Sequence, residues 1–189
     1  MRARVAGKRG PSSASPPVLA GSAHAVVLGI DPSLRGTGFG IVRVQKPNSL
    51  ALAFGTIACP SGWERSRCLV RIAEVLQAEI AKHQPTACAI EGLFYAQNLQ
   101  TALIMGEARG ASLLVAAQAG LEIFEIAPRK VKQAIVGYGA AQKLAVAKMV
   151  QRMLLLAEVP EADAADALAL ALAYAQETSR LNLAPPKRV

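Results

Sequence analysis

Three apolar runs, at residues 25–31 (AVVLGID), 37–44 (TGFGIVRV) and 50–58 (LALAFGTIA), follow one another with connections of only a few residues. A parallel crossover needs about a dozen residues or more, so these strands must run antiparallel to their sequence neighbours. The pattern then changes period. Leu69, Ile72, Ala73, Leu76 and Ile80 fall on one helical stripe, with Arg65, Arg71, Glu74 and Glu79 off it, which predicts an amphipathic helix over 64–82. A short strand follows at 86–91 (TACAIE), a mostly helical stretch at 97–119, a fifth strand at 121–127, and helices near 128–136, 142–156 and 161–177. The connections after the third strand are long enough for right-handed parallel crossovers. The expected class is α/β, with a mixed five-stranded sheet flanked by helices.

The 189 residues suit one domain with tails. A hydrophobic share of 52% excludes a wholly disordered chain, and no apolar run reaches the length of about 18 residues that a membrane span needs. Residues 1–24 are rich in Ser, Pro, Ala and Gly and carry Arg2, Arg4, Lys8 and Arg9 with no acid. They read as a disordered basic extension, with an organelle transit segment as the alternative. Residues 25–177 form the expected domain, and 178–189 read as a tail. Cys59, Cys68 and Cys88 have no zinc-site spacing, and neither His24 nor His83 offers them a partner. They are expected to be reduced, space-filling thiols in a cytoplasmic protein.

The net charge of +8 sits largely in the ends of the chain. One internal stretch stands out: no acid lies between Glu125 and Glu158, while Arg129, Lys130, Lys132, Lys143, Lys148 and Arg152 do. Six cations in such a stretch make either a phosphate-binding face or an ordinary solvated helical surface.

Four carboxylates carry the chemistry. Asp31 and Glu91 each terminate an apolar strand. If those strands are adjacent and parallel, both acids face the crevice beyond the strand ends where open α/β sheets bind ligands. Taken singly, each is also ordinary punctuation of a strand. Asp163 and Asp166 lie three apart on one helical face, though Asp163 also suits a helix N-cap. Four acids in one crevice repel each other unless hard cations neutralise them. Mg²⁺ takes oxygen ligands, and two such ions about 3.5–4 Å apart suit phosphodiester hydrolysis.

The strings LGIDPSLRGTGFGIV, AIEGLFYAQN, GEARG, APRKVKQAIVGYGAAQK and EADAADALALALA occur in this order over residues 25–176. Together they resemble the RuvC crossover junction endodeoxyribonucleases. The resemblance implies a ribonuclease H-like fold and a homodimer that nicks two opposed strands of a Holliday (four-way DNA) junction symmetrically. The ends left are 5′-phosphate and 3′-hydroxyl, which ligase can seal. It implies Asp31, Glu91, Asp163 and Asp166 as catalytic metal ligands, Mg²⁺ as cofactor with Mn²⁺ able to substitute, and the RuvA–RuvB branch-migration complex as partner. Phe94 matches an aromatic that stacks on or wedges open junction bases; otherwise it is a core residue. Lys132 and Lys143 match basic residues near the DNA backbone, while Arg129, Lys130 and Lys148 would steer DNA by charge. Two glycines, Gly106 and Gly110, make a G-x-x-x-G expected to serve helix packing or a dimer contact. The alternatives from other classes are a sugar-kinase-like phosphotransferase, which shares the acid–Gly/Thr turn of GIDPSLRGTGFG, and a junction-binding module without catalysis.

Overall fold

In the computed structural model, which describes residues 25–92, 99–179 and 186–189, the three early runs form the expected meander. β1 (Val26–Asp31) pairs antiparallel with β2 (Gly36–Arg43), and β2 with β3 (Leu50–Ala58). The turn between β1 and β2 is held by Thr37, whose Oγ1 donates to the Ser33 carbonyl at 2.5 Å and accepts from the Ser33 amide at 3.2 Å. After α1 (Arg65–His83), β4 (Ala87–Glu91) returns parallel to β1, and after α2 (Leu99–Gln118), β5 (Glu122–Ile126) runs parallel to β4.

The sheet has six strands, in the order β3-β2-β1-β4-β5-β6, not the five expected. β6 is Lys187–Arg188, antiparallel to β5 within what reads as a tail. Two residues carry no periodicity to read. They are held by the Val189 amide on the Ile123 carbonyl at 3.0 Å and by Arg188 on Glu122 at 3.3 Å.

Side chains alternate across the pleat and feed two separate cores. Leu28, Ile30, Cys88 and Ile90 pack against Cys68, Ile72, Leu76 and Ile80 of α1, and against Ala108, Val115 and Ala116 of α2. Val27, Ala87 and Ala89 face the other way, towards α3 (Pro128–Val136), α4 (Lys143–Met153) and α5 (Ala162–Ser179). The cysteines are free and buried, and burial pushes the Cys88 thiol up to about 12.

Helix α5 is buried almost all round, from Ala164 to Ala175. It lies directly on the sheet because the strands beneath it offer glycine. A Cβ on Gly29 would collide with the Ala167 backbone, one on Gly38 with the Asp163 backbone, and one on Gly40 would come within 2.8 Å of Leu168. The alanines of α5 complete the close approach from above.

Candidate active site

Period two places Asp31 on the same face as Val27 and Gly29, and Glu91 on the same face as Ala87 and Ala89. That face is the one covered by α5. Strands β1 and β4 are neighbours and parallel, with Ile30 opposite Ile90, so the two acids leave the sheet side by side at its carboxyl edge. The condition set by the sequence is met.

Helix α5 brings the second pair from above. Its first turn carries Asp163, and Asp166 follows one turn on. Asp163 is not the N-cap: the helical bonding already begins with the Ala165 amide on the Glu161 carbonyl at 2.7 Å, so the carboxylate is free to point at the cleft rather than back at its own helix. Asp31, Glu91, Asp163 and Asp166 line one cavity of about 460 Å³, together with Lys132 and Lys143.

The crowding is visible in the acidities. Asp31 is pushed up from 3.8 to about 7, first by burial and then by the Glu91 and Asp166 carboxylates. Glu91 is also raised, by burial and then by Asp166, while a hydrogen bond with Asp31 and the Lys143 and Lys132 ammonium groups pull the other way. Lys143, the first residue of α4, sits with its Nζ 2.8 Å from Asp166 Oδ2. That hydrogen bond raises its own pKa. The stretch that looked free of counter-charge therefore finds one in α5, a contact 23 residues away in sequence.

Among the described residues no three His, Cys, Asp or Glu side chains stand close enough together to hold a metal ion between them. The four carboxylates instead border an open cleft. A hard dication suits this donor set: all the donors are oxygens, they carry excess negative charge, and an open rim leaves positions for water and phosphate.

The basic residues divide. Lys132 lies on α3, which begins with Pro128 at its first turn and ends at Gly137 with φ of 83°. Beside the acid cleft, and sharing Pro128 and Lys132 with it, is a second hollow of about 670 Å³ lined by Arg129, Gln133 and Tyr138. Arg129 is held against the backbone there, since a Cβ on Gly139 would come within 2.7 Å of its Cγ. Lys130 and Lys148 are exposed and line neither hollow. Arg152 lies in the last turn of α4, where a cation favours the helix dipole. Phe94 lies outside the described residues.

Two residues escaped the sequence reading. Tyr138 is 65% exposed beside the second hollow; an aromatic between two glycines in a basic stretch was its signal. Arg109 is buried on α2 and donates through Nη1 to the Glu91 carbonyl and through Nη2 to Glu125 Oε2 at 2.6 Å. Its signal was a cation in the stripe Ala108, Ser112, Val115 and Ala116.

The chain is similar to known proteins in sequence and in fold. Residues 27–174 match the family model of the crossover junction endodeoxyribonuclease RuvC. The chain is 45% identical over 148 residues to the enzyme of that name from Akkermansia muciniphila, covering 78% of this chain and 89% of that one. Against its counterpart from Heliobacterium modesticaldum it is 46% identical over 151 residues, covering 79% and 93%. The structure of T. thermophilus RuvC in complex with Holliday junction substrate superposes with a TM-score of 0.79 at 34% identity, over 87% of this chain and all of that one. The ribonuclease H-like sheet, the order of its elements and matches of this extent agree, and the chain belongs to the RuvC family of crossover junction endodeoxyribonucleases.

Proposed function

We propose that this chain resolves Holliday junctions, nicking two opposed strands symmetrically to leave ligatable 5′-phosphate and 3′-hydroxyl ends. The observation that carries the reading is the convergence of Asp31, Glu91, Asp163 and Asp166 on one cleft that also receives Lys132 and Lys143. The four carboxylates are the ligands for Mg²⁺, two ions per site, with Mn²⁺ able to substitute. A metal held there would supply a Lewis acid for activating water and for offsetting charge on the leaving oxygen. The chain's own part is to hold the carboxylates in register on two strands and a helix. Lys132 and Lys143 draw the scissile phosphate to the acids and offset its charge. Arg129 and Tyr138 receive the adjoining backbone in the second hollow. Lys130 and Lys148 add long-range attraction, and Phe94 stacks on an unpaired base.

Symmetric nicking calls for two copies. On α2, Leu99, Leu103, Gly106, Gly110 and Leu114 fall along one stripe. The three leucines are 76%, 59% and 58% exposed. Nothing lies within 4 Å of where a Cβ would stand on either glycine, so the G-x-x-x-G serves no helix packing within the described chain. This stripe is the homodimer face. Leu103→Glu is expected to convert a dimer into a species of the single-chain mass, 19.7 kDa, as read by light scattering, and to uncouple the paired nicks; an unchanged mass would place the interface elsewhere.

The nuclease domain spans 25–177, clipped at its edge by β6, and residues 1–24 are a basic extension. The RuvA–RuvB complex is the partner. No helix among the described residues is long and apolar enough to cross a membrane, and the enzyme acts in the cytoplasm at the nucleoid. The test is a mobile four-way junction incubated with the protein. Paired, ligatable nicks that require Mg²⁺ and vanish in EDTA are expected; tight binding without cleavage, across junction sequences and metals, would leave only a binding module.

A further inference from the structure

We propose that Arg109 is the positioning residue for Glu91, fixing the backbone from which that carboxylate enters the cleft. This deepens the reading above and rests on Glu91 being a metal ligand. Arg109 is 7% exposed on α2. One arm of its guanidinium donates to the backbone carbonyl of Glu91 itself, and the other to Glu125 Oε2 at 2.6 Å.

Glu125 stands on β5 opposite Ile90, the residue before Glu91, and the pairing of β4 with β5 ends at Glu91 opposite Ile126. The fork therefore joins the ends of two parallel strands to α2 beside their last backbone hydrogen bond, from the Gly92 amide to the Ile126 carbonyl at 2.9 Å. A catalytic carboxylate at a strand end inherits any movement of its backbone. The cations that bear on the Glu91 side chain, Lys143 and Lys132, come from across the cleft, so Arg109 acts through the carbonyl.

The choice of arginine fits this task better than a stabilising one. Removing Arg109 alone would strand the Glu125 carboxylate, but an apolar pair of similar volume in place of both would fill such a space with little or no loss of stability, because burying an ion pair is expensive. It would leave the Glu91 carbonyl unheld. Lysine is a point charge and cannot reproduce a planar fork that engages two acceptors in fixed directions. Residues that orient metal ligands in this way typically govern metal affinity by about 10–100-fold.

The experiment uses the full-length chain with Arg109→Met, Arg109→Lys, Glu125→Gln and Glu91→Gln. Three quantities are read: Mn²⁺ affinity without DNA by calorimetry, junction affinity in EDTA, and the Mg²⁺ concentration giving half-maximal cleavage. The two Arg109 variants are expected to bind junctions in EDTA within about twofold of wild type, as the cations of the cleft are intact. Their Mn²⁺ affinity should fall, and their Mg²⁺ requirement rise, by about 10–100-fold. Metal affinity and Mg²⁺ requirement both unchanged, with activity falling only as the folded fraction falls, would overturn the proposal.

If the Arg109 variants do not fold, Glu125→Gln decides, because it keeps an acceptor for the guanidinium and loosens one anchor. A several-fold higher Mg²⁺ requirement at normal folded content supports the proposal, and an unchanged requirement defeats it. Glu91→Gln separates the two readings. If it cleaves normally, the metal site itself is misassigned; if it is inactive while the Arg109 variants bind metal and cleave normally, only the role of Arg109 fails.

Discussion

Asp31→Asn is expected to abolish junction cleavage and, in the same protein, to raise the melting temperature of the metal-free chain above neutral pH. The two effects have one cause. Asp31 is heavily burdened, pushed up from 3.8 to about 7 by burial and by the Glu91 and Asp166 carboxylates. Between those two pH values the folded chain holds a proton that the unfolded chain has released, so folding stability declines as pH rises through that window. Above about pH 7 the ionised side chain carries the full penalty, roughly 4 kcal/mol. Asparagine has no charge to penalise. In EDTA the variant should therefore melt higher than wild type near pH 8, with the gap closing as pH falls towards 4. Added Mg²⁺ should reverse the order, because only wild type presents all four carboxylates to a cation in the cleft. Cleavage should fall by ~1000-fold or more, since a metal's charge stabilisation is worth several kcal/mol and each 1.36 kcal/mol is tenfold in rate. Melting curves across pH, with and without metal, check the first half and junction cleavage the second. Parallel melting of the two proteins at every pH would mean that Asp31 bears no such load.

Much of this site was legible because its logic is local. Asp31 and Glu91 each close an apolar run, and strand alternation together with parallel pairing does the rest. The spacing of Asp163 and Asp166 likewise follows from helix geometry. What escaped reading depends on contacts between distant segments. Lys143 reads as an unpaired cation until α4 is seen against α5. Asp163 reads equally as a cap or as a site residue until the helix is found to start before it. Arg109 reads as a polar residue in a helix, whereas its partners come from the ends of two strands. The sixth strand is two residues long and has no period to detect. The glycines of β2 are the sharpest case. TGFG is visible as a glycine-containing strand, but the reason for the glycines lies more than a hundred residues on, in the backbone of α5.

That glycine seat carries the second large effect. Gly38→Ala is expected to destabilise the chain by about 3 kcal/mol, the upper part of the usual range for overpacking. A Cβ there meets the Asp163 carbonyl group, which is helix backbone and cannot rotate aside as a side chain would. Either the sheet and α5 separate or the first turn of α5 shifts, and both movements carry Asp163 away from Asp31. A displacement of about 1 Å in such a constellation can cost 100-fold in rate. Cleavage should therefore fall far more than the unfolded fraction explains, with junction binding in EDTA retained by the distant basic residues. Gly62→Ala is the control, because a Cβ on Gly62 has nothing within 4 Å, and it should leave both stability and cleavage near wild type. Urea unfolding gives the stability change and single-turnover cleavage gives the rate. If Gly38→Ala unfolded and cleaved like Gly62→Ala, close packing of α5 on β2 would not be what holds the four carboxylates together. The expected loss ties the fold to the chemistry: the helix that supplies two of the four carboxylates reaches the strands that supply the other two only because those strands carry glycine beneath it.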